Sequence, residues 1–250
     1  MKDILKDVVI IIPTRRPPPV KTLESFDTRR QVIILADPSV YKKHSKTKTK
    51  NVTIVEGVEG MIMQSAECYR QAYKAGCEFY FRLDDDLPPQ TFILKKEGEF
   101  GDLEYVMKHA MRCAVELDTS LTGFSNTSRR DWLGKGYCKT YGLIHGGANL
   151  CVSSKNPVRD GFIDENLPAY EDVYRSLAHR RRDGAVGRVA FIGFNKRLSV
   201  LNGSLVLKTE EVVEEAKKII LGEFPNMITC NGYRTLSSGH VIANWRMKKG

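Results

Sequence analysis

The sequence predicts an α/β fold, a mostly parallel central sheet with helices on both faces that passes into a more mixed C-terminal half. Three observations carry this expectation. Short apolar runs of strand length recur early in the chain, segments with helical spacing lie between them, and polar residues gather just beyond several of the runs. With 250 residues, 42% of them hydrophobic and 28% charged, the chain suits one domain with ample core.

Taken in order, Val8 to Ile12, Val32 to Leu35, Val52 to Val55 and Phe79 to Leu83 are mainly apolar and read as strands buried on both faces. Met61 to Ala75 predicts a helix with Ile62, Ala66, Tyr69 and Tyr73 on one face and Gly76 as its stop. A second helix is expected from Asp102 to about Glu116, with Leu103, Val106, Met107 and Ala110 inward. Leu121 to Phe124, Gly142 to Ile144 and Leu150 to Ser153 read as strands, the last two separated by the turn His145-Gly146-Gly147-Ala148-Asn149. Glu171 to Arg182 reads as a helix whose acidic start and basic end match the macrodipole. Glu210 to Leu221 is an amphipathic helix with Val212, Val213, Ala216, Ile219 and Ile220 inward and Gly222 at its end. Phe224 to Gly250 has few apolar residues and many turn formers, and reads as a long loop able to close over a site.

The charge balance narrows the classes of partner. Thirty-nine basic against 30 acidic side chains leave +9, with the excess in Lys42, Lys43, Lys46, Lys48 and Lys50, in Arg129-Arg130, in Arg180-Arg181-Arg182 and at the C-terminal end. Such clusters point to a polyanion, nucleic acid first, although each alone also suits a solvated surface. No apolar stretch is long enough to span a bilayer, so no membrane association is expected. The six cysteines are scattered, as reduced thiols in a cytoplasmic protein would be.

The most informative motif is Phe79-Tyr80-Phe81-Arg82-Leu83-Asp84-Asp85-Asp86-Leu87-Pro88-Pro89. An apolar strand ends in three carboxylates, which repel one another unless something positive sits among them. Mg²⁺ or Mn²⁺ fits, because both take oxygen ligands and leave positions open for phosphates. The bland reading is an acidic turn that only stops a strand. In a parallel sheet, however, ligands bind beyond the carboxyl ends of the strands. Pro13-Thr14-Arg15-Arg16, Asp37 and Asp84 to Asp86 all fall at such ends. A glycine-rich dinucleotide fingerprint and a P-loop are both missing.

In sequence order these features resemble the GT-A fold (Rossmann-like) of nucleotide-sugar glycosyltransferases. The resemblance spans roughly residues 8 to 182 and rests on four matches. Val8 to Thr14 is similar to the opening strand, Asp37 to the acidic residue after the second strand, and Asp84-Asp85-Asp86 to the metal-binding Asp-x-Asp. Gly161-Phe162-Ile163-Asp164-Glu165 followed by Tyr170-Glu171-Asp172 also resembles the Gly-Phe-Asp-Glu…Glu-Asp pattern of inverting members. Asp37-Pro38 and the prolines after Arg16 depart from the usual pattern.

The resemblance implies one GT-A domain over residues 1–250, with a nucleotide-binding half at 1–100, an acceptor and catalytic half at 101–222 and a closing tail at 223–250. It further implies a UDP-sugar donor held by Thr14, Arg15, Arg16, Asp37, Gln64 and Asp85. Asp84 and Asp86 would bind Mn²⁺ or Mg²⁺, with His240 as a third ligand, and Asp172 would be the general base, with Glu171 second. Size and charge together resemble the phage glycosyltransferases that modify DNA in systems with TET/JBP-type oxygenases. That narrower likeness implies transfer of a sugar such as glucose, with inversion, to 5-hydroxymethylcytosine or a related base in the host cytoplasm. Lys43, Lys46, Arg129, Arg130, Trp132, Arg180 and Arg181 would then contact the DNA acceptor. Rival readings are a carbohydrate or protein acceptor, a nucleotidyltransferase, and a non-catalytic nucleic-acid-binding protein.

Overall fold

The computed structural model describes residues 7–47, 49–96, 99–144, 146–155, 166–195, 209–235 and 241–248. Strands β1 (Val8–Thr14), β2 (Val32–Ala36), β3 (Val52–Glu56) and β4 (Phe79–Leu83) lie side by side in parallel, in the spatial order β3-β2-β1-β4. Helices α1 (Lys21–Ser25), α2 (Pro38–His44) and α3 (Met61–Lys74) connect them. Successive residues of β1 face opposite sides of the sheet. Val8, Ile10 and Ile12 join a core that includes α4 (Leu103–Leu117), and Val9 and Ile11 join one that includes Tyr69 and Ala72 of α3.

The second half completes a nine-stranded sheet. Strand β8 (Ala148–Val152) runs antiparallel beside β4, with β6 (Leu121–Ser125) and β9 (Val186–Phe194) beyond it. Two short strands, β5 (Phe92–Ile93) and β7 (Tyr137–Thr140), pair antiparallel with β9. The pairings give β1, β2, β3, β4, β6 and β9 one common direction. Their carboxyl ends therefore share one edge. Helix α5 (Glu171–Asp183) packs through Val173, Tyr174 and Leu177 into a third core, with α6 (Glu210–Glu223) and a hairpin of β10 (Ile228–Thr235) and β11 (Val241–Met247).

Four expectations need correction. Gly142 to Ile144 forms no strand. Ile144 is 1% exposed because its side chain packs against Gly123 of β6, and the pairing strand is the more polar β7 just before it. Tyr73 does not face inward but is 62% exposed, and Ala66, Tyr69 and Ala72 bury α3 instead. Helix α6 runs through Gly222 to Glu223. The tail is not a loop: Asn231-Gly232 sits at a β-bulge within β10, with Gly232 at φ +91°, and the hairpin packs on α5 and α6.

Among the described residues no helix is long and apolar enough to cross a membrane.

Candidate active site at the carboxyl edge of the sheet

The acidic turn after β4 is held from below by a residue that no sequence motif singles out. Thr22, in α1, donates its hydroxyl to the Asp84 carbonyl at 2.6 Å and accepts from the Leu87 amide at 2.8 Å. Its own amide donates to the Asp85 carbonyl at 3.2 Å. Three bonds from one buried threonine thus fix the turn that displays the carboxylates.

The positive charge that the aspartate triplet requires is supplied within the described residues by arginine. Arg16 Nη1 lies 2.7 Å from Asp86 Oδ2 and 3.3 Å from Asp85 Oδ1. The Thr14 hydroxyl, at the end of β1, donates to Asp85 Oδ2 and accepts from the Arg16 amide at 3.1 Å. Burial tends to lower the Arg16 guanidinium, but the hydrogen bond to Asp86 and the surrounding carboxylates hold it above its ordinary value. Asp85 is raised by burial despite Thr14 and Arg16. Burial pushes Asp84 up to about 6, against the opposing charge of Arg82.

Asp37 caps α2, accepting from the Ser39 amide at 3.0 Å and the Ser39 hydroxyl at 2.6 Å, with Arg15 Nε 3.3 Å from its other oxygen. Burial would raise this carboxyl, but the Ser39 bonds and Arg15 bring it below its ordinary value. Gln64, in the first turn of α3, is 3% exposed and packed against Gly57, just beyond β3. Both polar atoms of its carboxamide are buried without a hydrogen-bond partner. Such groups are rare in folded proteins because each costs about 1–3 kcal/mol, so an uncommitted amide beside Asp37's strand end suits a ligand contact.

Asp172 reaches the same edge from α5. Ser176 of that helix accepts from the Ile144 amide at 2.9 Å and donates to the Asp172 carbonyl at 2.7 Å, tying the helix start to the turn before β8. A side chain added at Gly146 would meet the Asp172 Cβ at 3.5 Å, and one added at Gly147 would meet Asp84 Oδ2 at 3.0 Å. The two adjacent glycines therefore sit between the carboxylates, and the Asp84 amide donates to the Gly147 carbonyl at 2.9 Å. At Gly147 a Cβ would also come within 2.8 Å of the buried Phe194 ring. Gly147→Ala is thus expected to destabilise the fold by about 1–3 kcal/mol and to displace Asp84. Thermal melting together with donor affinity checks this. An unchanged melting midpoint would refute the clash.

Glu171 has quite different surroundings. Its Oε1 lies 2.9 Å from Arg82 Nη1 and 3.1 Å from Arg175 Nη1, and it accepts from the Ser65 hydroxyl at 2.5 Å. Burial would raise this carboxyl, but Arg175, Arg82 and Ser65 hold it below the usual carboxylate range. Arg82 was legible in one respect: a lone charge inside an apolar buried strand calls for a partner. The residue before Glu171, Tyr170, has φ +63°, ψ +39°, which is unusual for a residue with a side chain. The hairpin holds it there. Its hydroxyl accepts from the Ala243 amide at 2.7 Å, and its ring meets Trp245 edge-on at 5.4 Å.

The basic residues do not form one surface. Arg180 is 5% exposed, donates to the Lys248 carbonyl at 2.7 Å and lies over Tyr141. Arg181 pairs with Glu223 at 2.6 Å. Both occupy the C-terminal end of α5, where Asp183 accepts from the Ser120 amide, so they sit at the amino end of β6, on the edge opposite Asp84. Arg130 is likewise spent on structure, donating to the carbonyls of Leu94, Lys96 and Glu99. These three side chains are withdrawn as a nucleic-acid contact set. Arg129 and Trp132 follow β6 on the Asp84 edge, exposed, with the guanidinium 4.4 Å above the indole. Lys43 and Lys46 are exposed at the end of α2 and beyond it. His145, His240 and the segment Gly161 to Glu165 lie outside the described residues.

No protein-family model matches the chain, and no curated protein matches it. Among solved structures it is similar to S. aureus TarS residues 1–349, at 14% identity and a TM-score of 0.51, over 88% of this chain and 65% of that one. The complex of the same TarS fragment with UDP gives a TM-score of 0.52 at 14% identity and the same coverage. A 4-diphosphocytidyl-2C-methyl-D-erythritol synthase from Anaerococcus prevotii is 12% identical over 85% of this chain, with a TM-score of 0.47. The chain thus spans just under two-thirds of the TarS fragment's length. The likeness establishes the fold, a GT-A-type α/β sheet.

Proposed function

We propose that the protein is a nucleotide-sugar glycosyltransferase that inverts the anomeric centre, with Asp172 as general base. One observation carries this reading. The Gly146-Gly147 turn brings Asp172 and Asp84 to the same sheet edge, where Thr14, Arg15, Arg16 and Asp37 also converge.

In this reading the donor's diphosphate lies over the ends of β1 and β4, where Arg16 exchanges its carboxylate partners for phosphate oxygens. A guanidinium fork suits either partner. Asp37 and Gln64 face the nucleoside. UDP is the natural first nucleotide to test, since it is the one bound to TarS. Asp172 removes the proton of an acceptor hydroxyl placed opposite the leaving diphosphate, a step typically worth about 10² to 10⁴ in rate. Glu171, whose Oε1 is engaged by Arg82, Arg175 and Ser65, is not assigned that role.

Among the described residues no group of three or more His, Cys, Asp or Glu side chains is placed to hold a metal ion. Mg²⁺ and Mn²⁺ need no such cage where a substrate supplies phosphate oxygens, and one or two carboxylates suffice. Asp84 meets that requirement, because among the described residues the ion pairs of the triplet fall on Asp85 and Asp86. Asp86 would be available to the same cation with Arg16 turned to phosphate. A cation so held supplies neutralising charge to the leaving diphosphate. Because a proton competes for the same carboxylate, metal-dependent donor affinity is expected to weaken as pH falls through about 6, the value to which burial raises Asp84. Calorimetry with UDP and Mn²⁺ between pH 5 and 8 measures it. An affinity independent of pH would remove Asp84 from the metal site.

The acceptor we infer is DNA carrying a 5-hydroxymethylpyrimidine, a base that must leave the stack to reach a closed cleft. The excess of +9 and the exposed Arg129–Trp132 pair on the site's own edge support this. With Arg130, Arg180 and Arg181 withdrawn, the contact set shrinks to Lys43, Lys46, Arg129 and Trp132. Three phosphate contacts give an expected log–log salt slope of roughly −2.7. The test is sugar transfer to hydroxymethylated and unmodified duplexes at several salt concentrations, with product mass as the readout. Transfer to neither duplex, with flat salt dependence, would leave a glycosyltransferase with another acceptor.

A further inference from the structure

Glu171 and Asp172 are adjacent in sequence but not equivalent in space. The Glu171 carboxylate is drawn into the protein, where three elements meet on one oxygen. Arg82 arrives from β4, Arg175 from α5 and Ser65 from α3, all within 3.1 Å of Oε1. Arg82 Nη1 also donates to the Ser65 hydroxyl at 2.9 Å, which closes the group. The side chains of Arg82, Glu171 and Arg175 are 4%, 8% and 2% exposed.

We infer that Glu171 is a positioning residue: with Arg82, Arg175 and Ser65 it forms a buried charge clamp that fixes the candidate base Asp172 against the strand carrying Asp84. The inference rests on the glycosyl-transfer reading above.

Three features favour a clamp over simple packing. The group is poorly satisfied: Arg82 Nε and the Nε and Nη2 of Arg175 are buried without a hydrogen-bond partner, and Arg175 Nη1 meets Glu171 as an ion pair without forming a hydrogen bond. Apolar side chains of similar volume would stabilise this interior at least as well, so stability alone does not account for two arginines around one carboxylate. The connection is also short. Arg82 lies in β4 two residues before Asp84, which follows the strand directly, and Glu171 immediately precedes Asp172. Lastly, the clamp joins the sheet to a helix that otherwise meets this edge through Ser176 and the Gly146-Gly147 turn. A carboxylate misplaced by about 1 Å can cost roughly 10² in rate, so a rigid tie here acts directly on turnover.

The test compares wild type, Glu171→Gln and the double variant Glu171→Gln/Arg175→Gln by thermal melting and by steady-state transfer kinetics well below the melting midpoint. Glu171→Gln leaves two buried guanidinium groups without their anion. Its melting midpoint is expected to fall, and its kcat to drop roughly ten- to a hundredfold, with KM for the nucleotide sugar within about twofold. The double variant removes one of those two guanidinium charges as well, which restores the net charge of the cluster and leaves Arg82 alone facing the amide. It is expected to regain most of the melting midpoint and about tenfold of the lost kcat, because interactions within one cluster are not additive. If Glu171→Gln alone does not fold, the double variant carries the comparison with wild type.

A folded Glu171→Gln protein with wild-type kcat overturns the inference, because the clamp then has no hold on the chemistry. So does a Glu171→Gln protein that is inactive at the wild-type melting midpoint and is not rescued by the second substitution, since Glu171 would then take the proton itself. Should the wild-type protein transfer no sugar, the functional reading fails separately. The melting arm still decides the clamp, and no recovery in the double variant would reject it.

Discussion

Asp172→Asn is expected to lower turnover by about two to four orders of magnitude, with donor affinity little changed. The amide keeps the size of the carboxylate and can still accept from the Val173 amide, which bonds Asp172 Oδ1 at 3.0 Å. The start of α5 therefore stays intact, and the loss falls on proton removal. Single-turnover transfer alongside UDP calorimetry separates the two quantities. Near-normal turnover in Asp172→Asn, or a product with the donor's anomeric configuration, would exclude the inverting mechanism assigned here.

The second large effect concerns the acidic turn. Asp84→Asn is expected to weaken metal-dependent donor binding by roughly 30-fold to several thousand-fold, corresponding to about 2–5 kcal/mol for one partner of a buried charged contact. The fold should survive, because Thr22 bonds the backbone of the turn and not the Asp84 side chain. Asp86→Asn should act differently. It removes the closer of the two carboxylates that hold Arg16, at 2.7 Å, and so frees the guanidinium for phosphate even as it removes a potential ligand. Metal-dependent UDP binding should therefore fall less in Asp86→Asn than in Asp84→Asn. Equal affinity in wild type and Asp84→Asn, at saturating Mn²⁺, would move the cation elsewhere.

The parallel half of the sheet was legible because β1, β2 and β4 are buried on both faces, so their apolar runs need no interpretation of period; β3, at the sheet edge, is only partly buried, contrary to expectation. Polar residues at the ends of those runs then pointed to the edge where the candidate site is placed, without knowledge of the topology. The second half was harder. Strand β7 borders β9 with only partly buried, mixed residues, while apolar Ile144 packs without pairing. The hairpin was hidden by Asn231-Gly232, a pair that signals a turn but here bulges a strand. Charge runs were the least informative. Nothing in the string Arg180-Arg181-Arg182 tells which edge of a sheet the end of a helix reaches, and that depends on the reversal of β8 between β4 and β6. Glu171 looked like half of a catalytic pair because sequence cannot show that Arg82, far away in the chain, claims its oxygen.

On the proposed function, the left-handed Tyr170 has a bearing on how the acceptor could change. A tyrosine in this conformation stores roughly 1–2 kcal/mol of backbone strain, which persists only while its surroundings hold it. Here the hold comes from Ala243 and Trp245 of β11, in a part of the chain that contributes no strand to the nine-stranded sheet. The angle at which α5 begins, and with it the bearing of Asp172, is thus governed from outside the half that would bind the donor. A lineage could therefore re-aim its base toward a new hydroxyl by altering the hairpin while every donor contact stayed as it was.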